Sequence, residues 1–453
     1  MGRMPNRTGA YRNLTHLRVW RLIGPNQVVG PIMAVLGRDM LGPLHRMREA
    51  CRSSLGGRRI SWDSQTDGQR RIPYQRLERS FSMKVIIAGA GIAGLAAAQA
   101  LEIKGHQCEV YEQCLGPRLG GAGIFLLGNA TRALDQLGVL EPLKVNGRRI
   151  KEQCIFSSDG KLIHALSAED FWSNCGPCLA MPRSRLIQAL LSSLKRTRVN
   201  YGKAILAAHR TSAGMSAQLS DGSSVECDLV VAADGVNSWL RRATSGCRPR
   251  ALGISCWRTV TDNTPNISAW TAMLGRGRTL LAIPVTASQV YLYADCRTSE
   301  VNRNTLQDFK EMFGDFRAPL GPLIAQLDTS AEIHFSGLEE VPDFSTFEDG
   351  LVFIGDAAHA CSPSMAQGAG MALEDALVLA EVVSDAPSTG VMRRRYLQHR
   401  QQRVTWVRQQ ARARDMLRGL SPIVRNFTLK HLGDTLYKRS YGALRSPLLD
   451  GGI

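Results

Sequence analysis

The 453-residue chain is short of several things, and each shortage removes a class of function. Its first 82 residues hold 15 Arg, no Lys and 5 acidic residues. The longest uncharged apolar run in that leader, residues 22–37, is interrupted by Pro25, Asn26, Gln27 and Pro31, so it is too short and too broken to span a bilayer. The leader also lacks the compact apolar core and small-residue cleavage site of a secretory signal. Cysteine motifs are equally scarce. The eleven cysteines are scattered, an odd number that reads as reduced thiols, and only Cys175-Gly-Pro-Cys178 has a recognisable spacing. No second C-x-x-C completes a zinc site, so no metal is expected. Residues 151–185 supply no strand-led small domain of the kind that carries a redox dithiol. Acidic residues number 39 against 56 basic ones, but the leader supplies +10 of the +17 net charge. The rest of the chain is only diffusely basic, and nucleic-acid binding is not expected.

The leader reads as a disordered tail or an overextended gene start, in a cytoplasmic protein. Its Arg-rich, acid-poor character leaves a mitochondrial transit peptide as the alternative. The chain as a whole has the 44% hydrophobic content of an ordinary globular protein and the length for two or three domains' worth of core.

Met83 opens the stretch Lys84-Val-Ile-Ile-Ala-Gly89-Ala-Gly91-Ile92-Ala93-Gly94, which runs into an alanine-rich segment and then His106–Glu112. Val85, Ile86 and Ile87 suit a buried parallel strand, and the three glycines come after it at G-x-G-x-x-G spacing. The first glycine permits a tight turn, the second lets a pyrophosphate approach the backbone, and the third lets the helix pack closely on the strand. The free N–H groups of the helix start, Ile92 and Ala93 among them, then face the phosphates. Glu112 lies 18 residues beyond Gly94, near the roughly 20 at which an acid meets ribose hydroxyls. That favours FAD or NAD over NADP.

Further along, Asn129–Leu140 reads as one amphipathic helix, and Gln153–Ile163 as a hairpin about Ser158-Asp-Gly160. Pro182 opens a helix with Arg183 in its first turn, a position that opposes the helix dipole and so suggests a cofactor contact. Residues 204–225 read as two short strands around Asp221-Gly222. A second strand–turn–helix unit carries Asp234, Gly235 and Arg241, and residues 250–339 read mainly as an antiparallel sheet. A third unit ends a buried strand on Gly355-Asp356. Its loop, through Pro363, leads to Gln367, Gly368, Ala369 and Gly370, where a helix starts whose dipole would favour negative charge on a flavin. The closing Arg-rich helices carry an apolar stripe, Leu397, Val404, Val407 and Ala411. It reads as packed, with a solvated basic face and no membrane contact.

With these landmarks in order, the chain resembles the single-component FAD-dependent aromatic hydroxylases, the family of p-hydroxybenzoate, salicylate, 3-hydroxybenzoate and urate hydroxylases. The resemblance covers residues 83–390 and continues more weakly beyond them. It implies an α/β fold, in which a Rossmann-like FAD-binding domain is interleaved with a mainly antiparallel substrate sheet and followed by C-terminal helices. The FAD-binding parts would be residues 83–152, 179–249 and 340–390, with substrate-binding parts at 153–178 and 250–339 and C-terminal helices at 391–453. Gly89, Gly91, Gly94 and Glu112 match the family's adenosine-binding turn. Asp234-Gly235 with Arg241 matches its DG element, linked to both FAD and the nicotinamide donor, and Gly355-Asp356 its ribityl-binding GD element. Arg183 looks like its helix arginine, and Trp257-Arg258 resembles a recurrent pair at the start of the substrate sheet.

The implied reaction uses NADH or NADPH to reduce FAD, adds O2 at flavin C4a, and passes one oxygen from the hydroperoxide to an aromatic or polycyclic substrate. Tyr291, Tyr293 and His359 are candidates for a base. A monomer or homodimer is expected. The alternatives are an epoxidase, a disulfide reductase using Cys175–Cys178, and a non-catalytic flavin-binding protein; the reductase would need a second glycine motif, and none is present.

Overall fold

The computed structural model describes residues 82–117, 122–301 and 305–449. The arginine-rich leader up to residue 81 lies outside them, as do residues 118–121, part of the Gly-rich stretch Gly120-Gly-Ala-Gly123 that reads in the sequence as a flexible turn. Val85, Ile86 and Ile87 are completely buried in strand β1 (Lys84–Ala88), and the chain then crosses through helix α1 (Ile92–Ile103) to β2 (Gln107–Glu112). β1 also pairs with β3 (Leu229–Ala232), so it sits at the centre of a six-stranded sheet. Every join in that sheet is parallel except the outermost one, at Phe347–Glu348. A parallel sheet must be covered on both faces, which is why its strands are continuous apolar runs.

The covering helices are rich in small residues for a reason. α1 packs on the later helix that begins at Gly368, and their alanines share one core cluster with Leu95, Leu101, Leu373 and Leu377. Each of these leucines contributes on the order of 1.5–3 kcal/mol by leaving water. The alanines let the two backbones approach closely.

The expected helix over Asn129–Leu140 is two. α2 (Gly128–Gln136) stops at Gly138, whose φ of +71° ends the helix, and a second helix runs over Leu140–Asn146. Residues 204–225 also differ from expectation, forming the first two and part of the third of three strands: Ile205–Thr211, Gly214–Leu219 and Ser224–Cys227. Gly214, at φ +147°, makes the extra turn.

The second large sheet has seven strands, the longest of them β4 (Arg250–Asp262) and β5 (Gln289–Arg297), paired side by side. The hairpin Glu152–Ser157/Leu162–Ser167 joins its far edge through the sheet's one parallel pairing, to Trp270–Leu274. Period-two alternation gives this sheet two unlike faces. Trp257, Val290, Leu292 and Ala294 lie on one face, in a cluster with Phe309 and Phe313 of helix Leu306–Phe313 and Leu323 and Ile324 of helix Gly321–Gln326, helices that the sequence pattern does not separate from the sheet. Arg258, Val260, Tyr291 and Tyr293 alternate onto the other face.

After β6 (Leu351–Phe353), three long helices close the chain: α3 (Gly368–Asp385), α4 (Thr389–Arg418) and α5 (Pro422–Tyr441). Val407 and Ala411 of the predicted stripe are buried, and Leu397 and Val404 pack partly against the core. Among the described residues no helix is long and apolar enough to cross a membrane.

Candidate active site

β1, β3 and β6 lie side by side, so the turns that succeed them open at one edge of the sheet. The carboxyl end of a parallel sheet is where such folds hold ligands. Each turn is built tightly. Gly89 takes φ +100°, and a Cβ there would meet the Ala233 carbonyl at 2.6 Å; one on Gly94 would sit 1.9 Å from the Gly89 carbonyl. Gly91 is different, since a Cβ there would meet nothing within 4 Å. It caps α1 with no side-chain partner and no acid in the first turn, so the helix start presents backbone N–H groups to open space. Glu112 is buried at the end of β2, accepting hydrogen bonds from Ala90 N–H (2.9 Å) and Cys114 N–H (3.0 Å).

Asp234 leaves β3, and Gly235 comes next at φ +84°. The aspartate Oδ2 accepts from Trp239 N–H at 2.8 Å, while Oδ1 is buried with no partner. Burial raises this carboxyl's pKa against the hydrogen bonds that lower it. Arg241 is completely buried. Its guanidinium donates to the carbonyls of Ala357 (2.8 Å), Cys247 (3.2 Å) and Val236. It therefore braces the DG turn against the helix after Gly355. Arg241→Ala strands three carbonyls and should lower unfolding free energy by about 2–4 kcal/mol, measurable by urea unfolding of the apoprotein.

Gly355 adopts φ +58°, and a Cβ would lie 2.7 Å from that of Ala93, so the GD turn abuts the start of α1. Asp356 is exposed, and its Oδ1 is 3.9 Å from where a Cβ on Gly368 would stand. Pro363 begins a short 3-10 turn, and Ala366 at φ +49° brings the chain to Gln367, which caps α3 ahead of Gly368, Ala369 and Gly370. The buried Gln367 amide pairs reciprocally with Asn129, at 2.9 and 3.1 Å.

Arg183 stands exposed at the first position of helix Arg183–Ser193, near enough for its charge to ease ionisation of Tyr291. The three candidate bases have different surroundings. Burial raises the Tyr291 pKa well past what Arg258 and Arg183 can offset, so at neutral pH this phenol is a donor. Tyr293 donates to Asp295 at 2.9 Å. His359 lies 2.6 Å from Asp375, a carboxylate that also receives Gly355 N–H (2.8 Å) and Arg400 Nε (2.7 Å).

This last cluster was missed in the sequence. Asp375 and Glu374 are buried with Arg400 in the middle of the fold, and Arg403 is a second cationic partner of Glu374. Two adjacent acids inside the apolar run Met371–Leu379 were the available signal, because buried carboxylates require cationic partners. The C-x-x-C pair fits redox work poorly. Burial pushes the Cys178 thiol up to about 12 and also raises Cys175, whereas a reactive dithiol needs a thiolate.

A dinucleotide fits these residues: open space at Gly91 between two closely packed glycines, an unpaired buried carboxylate oxygen on Asp234, and an exposed Asp356 beside the start of α3. Comparison with known proteins agrees. A sequence model of the FAD binding domain family matches residues 82–411. The 2-heptyl-3-hydroxy-4(1H)-quinolone synthase of Pseudomonas aeruginosa is 33% identical over 339 residues, 73% of this chain and 88% of that protein. An FAD-dependent urate hydroxylase of Klebsiella pneumoniae is 30% identical, covering 71% and 87% of the two chains. The crystal structure of Klebsiella pneumoniae HpxO complexed with FAD and uric acid superposes with a TM-score of 0.74 at 25% identity, over 83% of this chain and 100% of that one. From the parallel sheet with its three ligand-facing turns to these matches, the chain belongs to the FAD-dependent aromatic hydroxylases, the single-component flavoprotein monooxygenases.

Proposed function

We propose that this FAD-dependent monooxygenase takes electrons from NADH or NADPH and hydroxylates a fused heteroaromatic small molecule. The carrying observation is the convergence of the Gly91, Asp234 and Asp356 turns at one edge of the parallel sheet. Two relatives, named for a quinolone and for urate, support the bicyclic ring system. FAD supplies what amino acids cannot, the activation of dioxygen for transfer of one oxygen atom.

The chain's own residues position and shield. Backbone N–H groups of Ile92, Ala93 and Gly94 would receive the pyrophosphate, aided by the α1 dipole. Glu112, at the end of β2 beside the Gly91 turn, would accept a ribose hydroxyl. Asp356 would take the ribityl hydroxyls. The start of α3 would face the flavin's pyrimidine edge and stabilise negative charge there. We assign the substrate wall to the β4/β5 face that carries Val260 and Tyr291. Because Tyr291 stays protonated, its role is to donate a hydrogen bond to a ring oxygen or nitrogen. Tyr291→Phe should raise the substrate KM roughly 5–10-fold through loss of that bond, while NAD(P)H oxidation without substrate stays unchanged in a stopped-flow assay.

The decisive screen tests bicyclic heteroaromatics for stimulation of NAD(P)H oxidation, with product masses measured for a gain of one oxygen. No stimulation by any ring system, or a gain of hydrogen, sinks the reading. Loss of turnover in Cys178→Ser would favour the disulfide reductase instead.

A further inference from the structure

None of the C-terminal residues 442–449 lines the flavin site, yet they are tied to it by an unbroken polar chain. Arg403 donates to the carbonyls of Ala443 (2.8 Å), Leu444 (3.2 Å) and Ser446 (3.1 Å). Arg132 on α2 reaches the same strap, donating to the carbonyls of Leu444 (3.3 Å), Arg445 (2.5 Å) and Ser446 (3.0 Å). Leu444 is buried, and Leu448 and Leu449 pack against the core beside α2 and α3. The strap is therefore seated by apolar contacts and fastened by two guanidinium groups.

From Arg403 the chain continues inward. Its Nε and Nη2 bind Glu374 at 3.0 and 2.8 Å, and Glu374 Oε1 accepts from Asn129 Nδ2 at 3.2 Å. Asn129 then exchanges hydrogen bonds with Gln367, the residue that caps α3. Two amides facing each other are equally satisfied in either orientation, so the pair alone does not decide which end of each amide points where. A carboxylate accepts only, and Glu374 therefore admits only the Nδ2 end of Asn129. That choice fixes Gln367 in turn.

We propose that the strap is a positioning element for the flavin. It seats Arg403, which together with Arg400 holds Glu374, and Glu374 sets the polarity of the Asn129–Gln367 pair at the start of α3. This rests on the reading that the flavin lies over that helix start. Freeing the strap removes the three carbonyls that seat Arg403, leaves Glu374 to Arg400 alone, and so loosens the Asn129–Gln367 pair and the helix start it anchors. FAD affinity should fall although no residue of its site has changed.

The test uses the full-length apoprotein, titrated with FAD and monitored by quenching of flavin fluorescence, with the melting temperature of each apoprotein recorded in parallel. Arg132→Ala, which removes only strap contacts and its own charge, should raise the FAD Kd about tenfold, within the usual range for coupling between sites. Deletion after Tyr441 should raise it further. Arg132→Lys, which keeps one donor group, should restore part of the affinity. Arg185→Ala is the control, because Arg185 also ties down a carbonyl, that of Asn146, away from the strap. A Kd within twofold of wild type in both the Arg132→Ala and deletion proteins overturns the proposal, as does an equal rise in Arg185→Ala. Wild-type apoprotein that takes up no FAD at all overturns the flavin reading and the strap's role with it.

Discussion

Replacing Gly91 with alanine should leave the apoprotein folded and weaken FAD binding about 10–100-fold, the equivalent of forcing one methyl group into a packed contact. The residue's φ of −79° suits alanine, and the added methyl meets no protein atom within 4 Å. The loss in folding stability is limited to the poorer N-cap, less than about 1 kcal/mol. The space is empty of protein because a pyrophosphate is to pass there. Gly94→Ala makes the contrast, since its methyl would fall 1.9 Å from the Gly89 carbonyl and must disturb the fold itself. Thermal melts of the two apoproteins, with FAD titrations of whichever survives, separate a glycine kept for a ligand from one kept for packing. Gly91→Ala protein that binds FAD as tightly as wild type would remove the pyrophosphate from this turn.

Asp375→Ala should be the most destabilising single change outside the apolar core, at about 3–5 kcal/mol, because it leaves Arg400 buried without one of its two counter-charges. It also removes the acceptor of Gly355 N–H, so the GD turn loosens and FAD retention falls with stability. Burial alone would raise this carboxyl's pKa, but the charges of His359 and Arg400 outweigh it and hold the group well below the usual aspartate range. Glu374 is lowered in the same way, burial being outweighed by Arg400 and Arg403. A carboxyl whose folded pKa is depressed stabilises fully above its unfolded value, near pH 4, and loses that contribution as pH falls towards the folded one. Wild-type stability should therefore decline steeply below about pH 4. The Asp375→Asn protein should start lower and show a shallower acid limb in urea unfolding at stepped pH. Parallel curves for the two proteins would mean that Asp375 is not ionised in the fold.

Much of the fold is legible in the sequence, and the reason is local. A β-branched run, three glycines at fixed spacing and an acid at the end of the next strand each obey backbone rules that a sequence exposes directly. Gly355-Asp356 and Asp234-Gly235 are readable for the same reason, since each ends an apolar strand and turns sharply. Arg241 is legible as part of the DG element, but only the fold shows that Ala357, 116 residues away, receives its hydrogen bond. Asn129 meets the same limit, since nothing near it in sequence announces Gln367 or Glu374. The break at Gly138 is hidden by leucines that keep helical spacing across it. The rise in the Tyr291 pKa comes from its packing in the sheet, which the residue itself does not announce.

We propose that this chain moves one oxygen atom from dioxygen to an aromatic ring at the expense of NADH or NADPH. Turnover under isotopically labelled dioxygen, with a ring substrate that stimulates NAD(P)H oxidation, tests it most directly. A monooxygenase should place one labelled oxygen atom in each product molecule and consume one NAD(P)H for it. Product that carries oxygen from water, or that carries none while NAD(P)H is consumed, would contradict it.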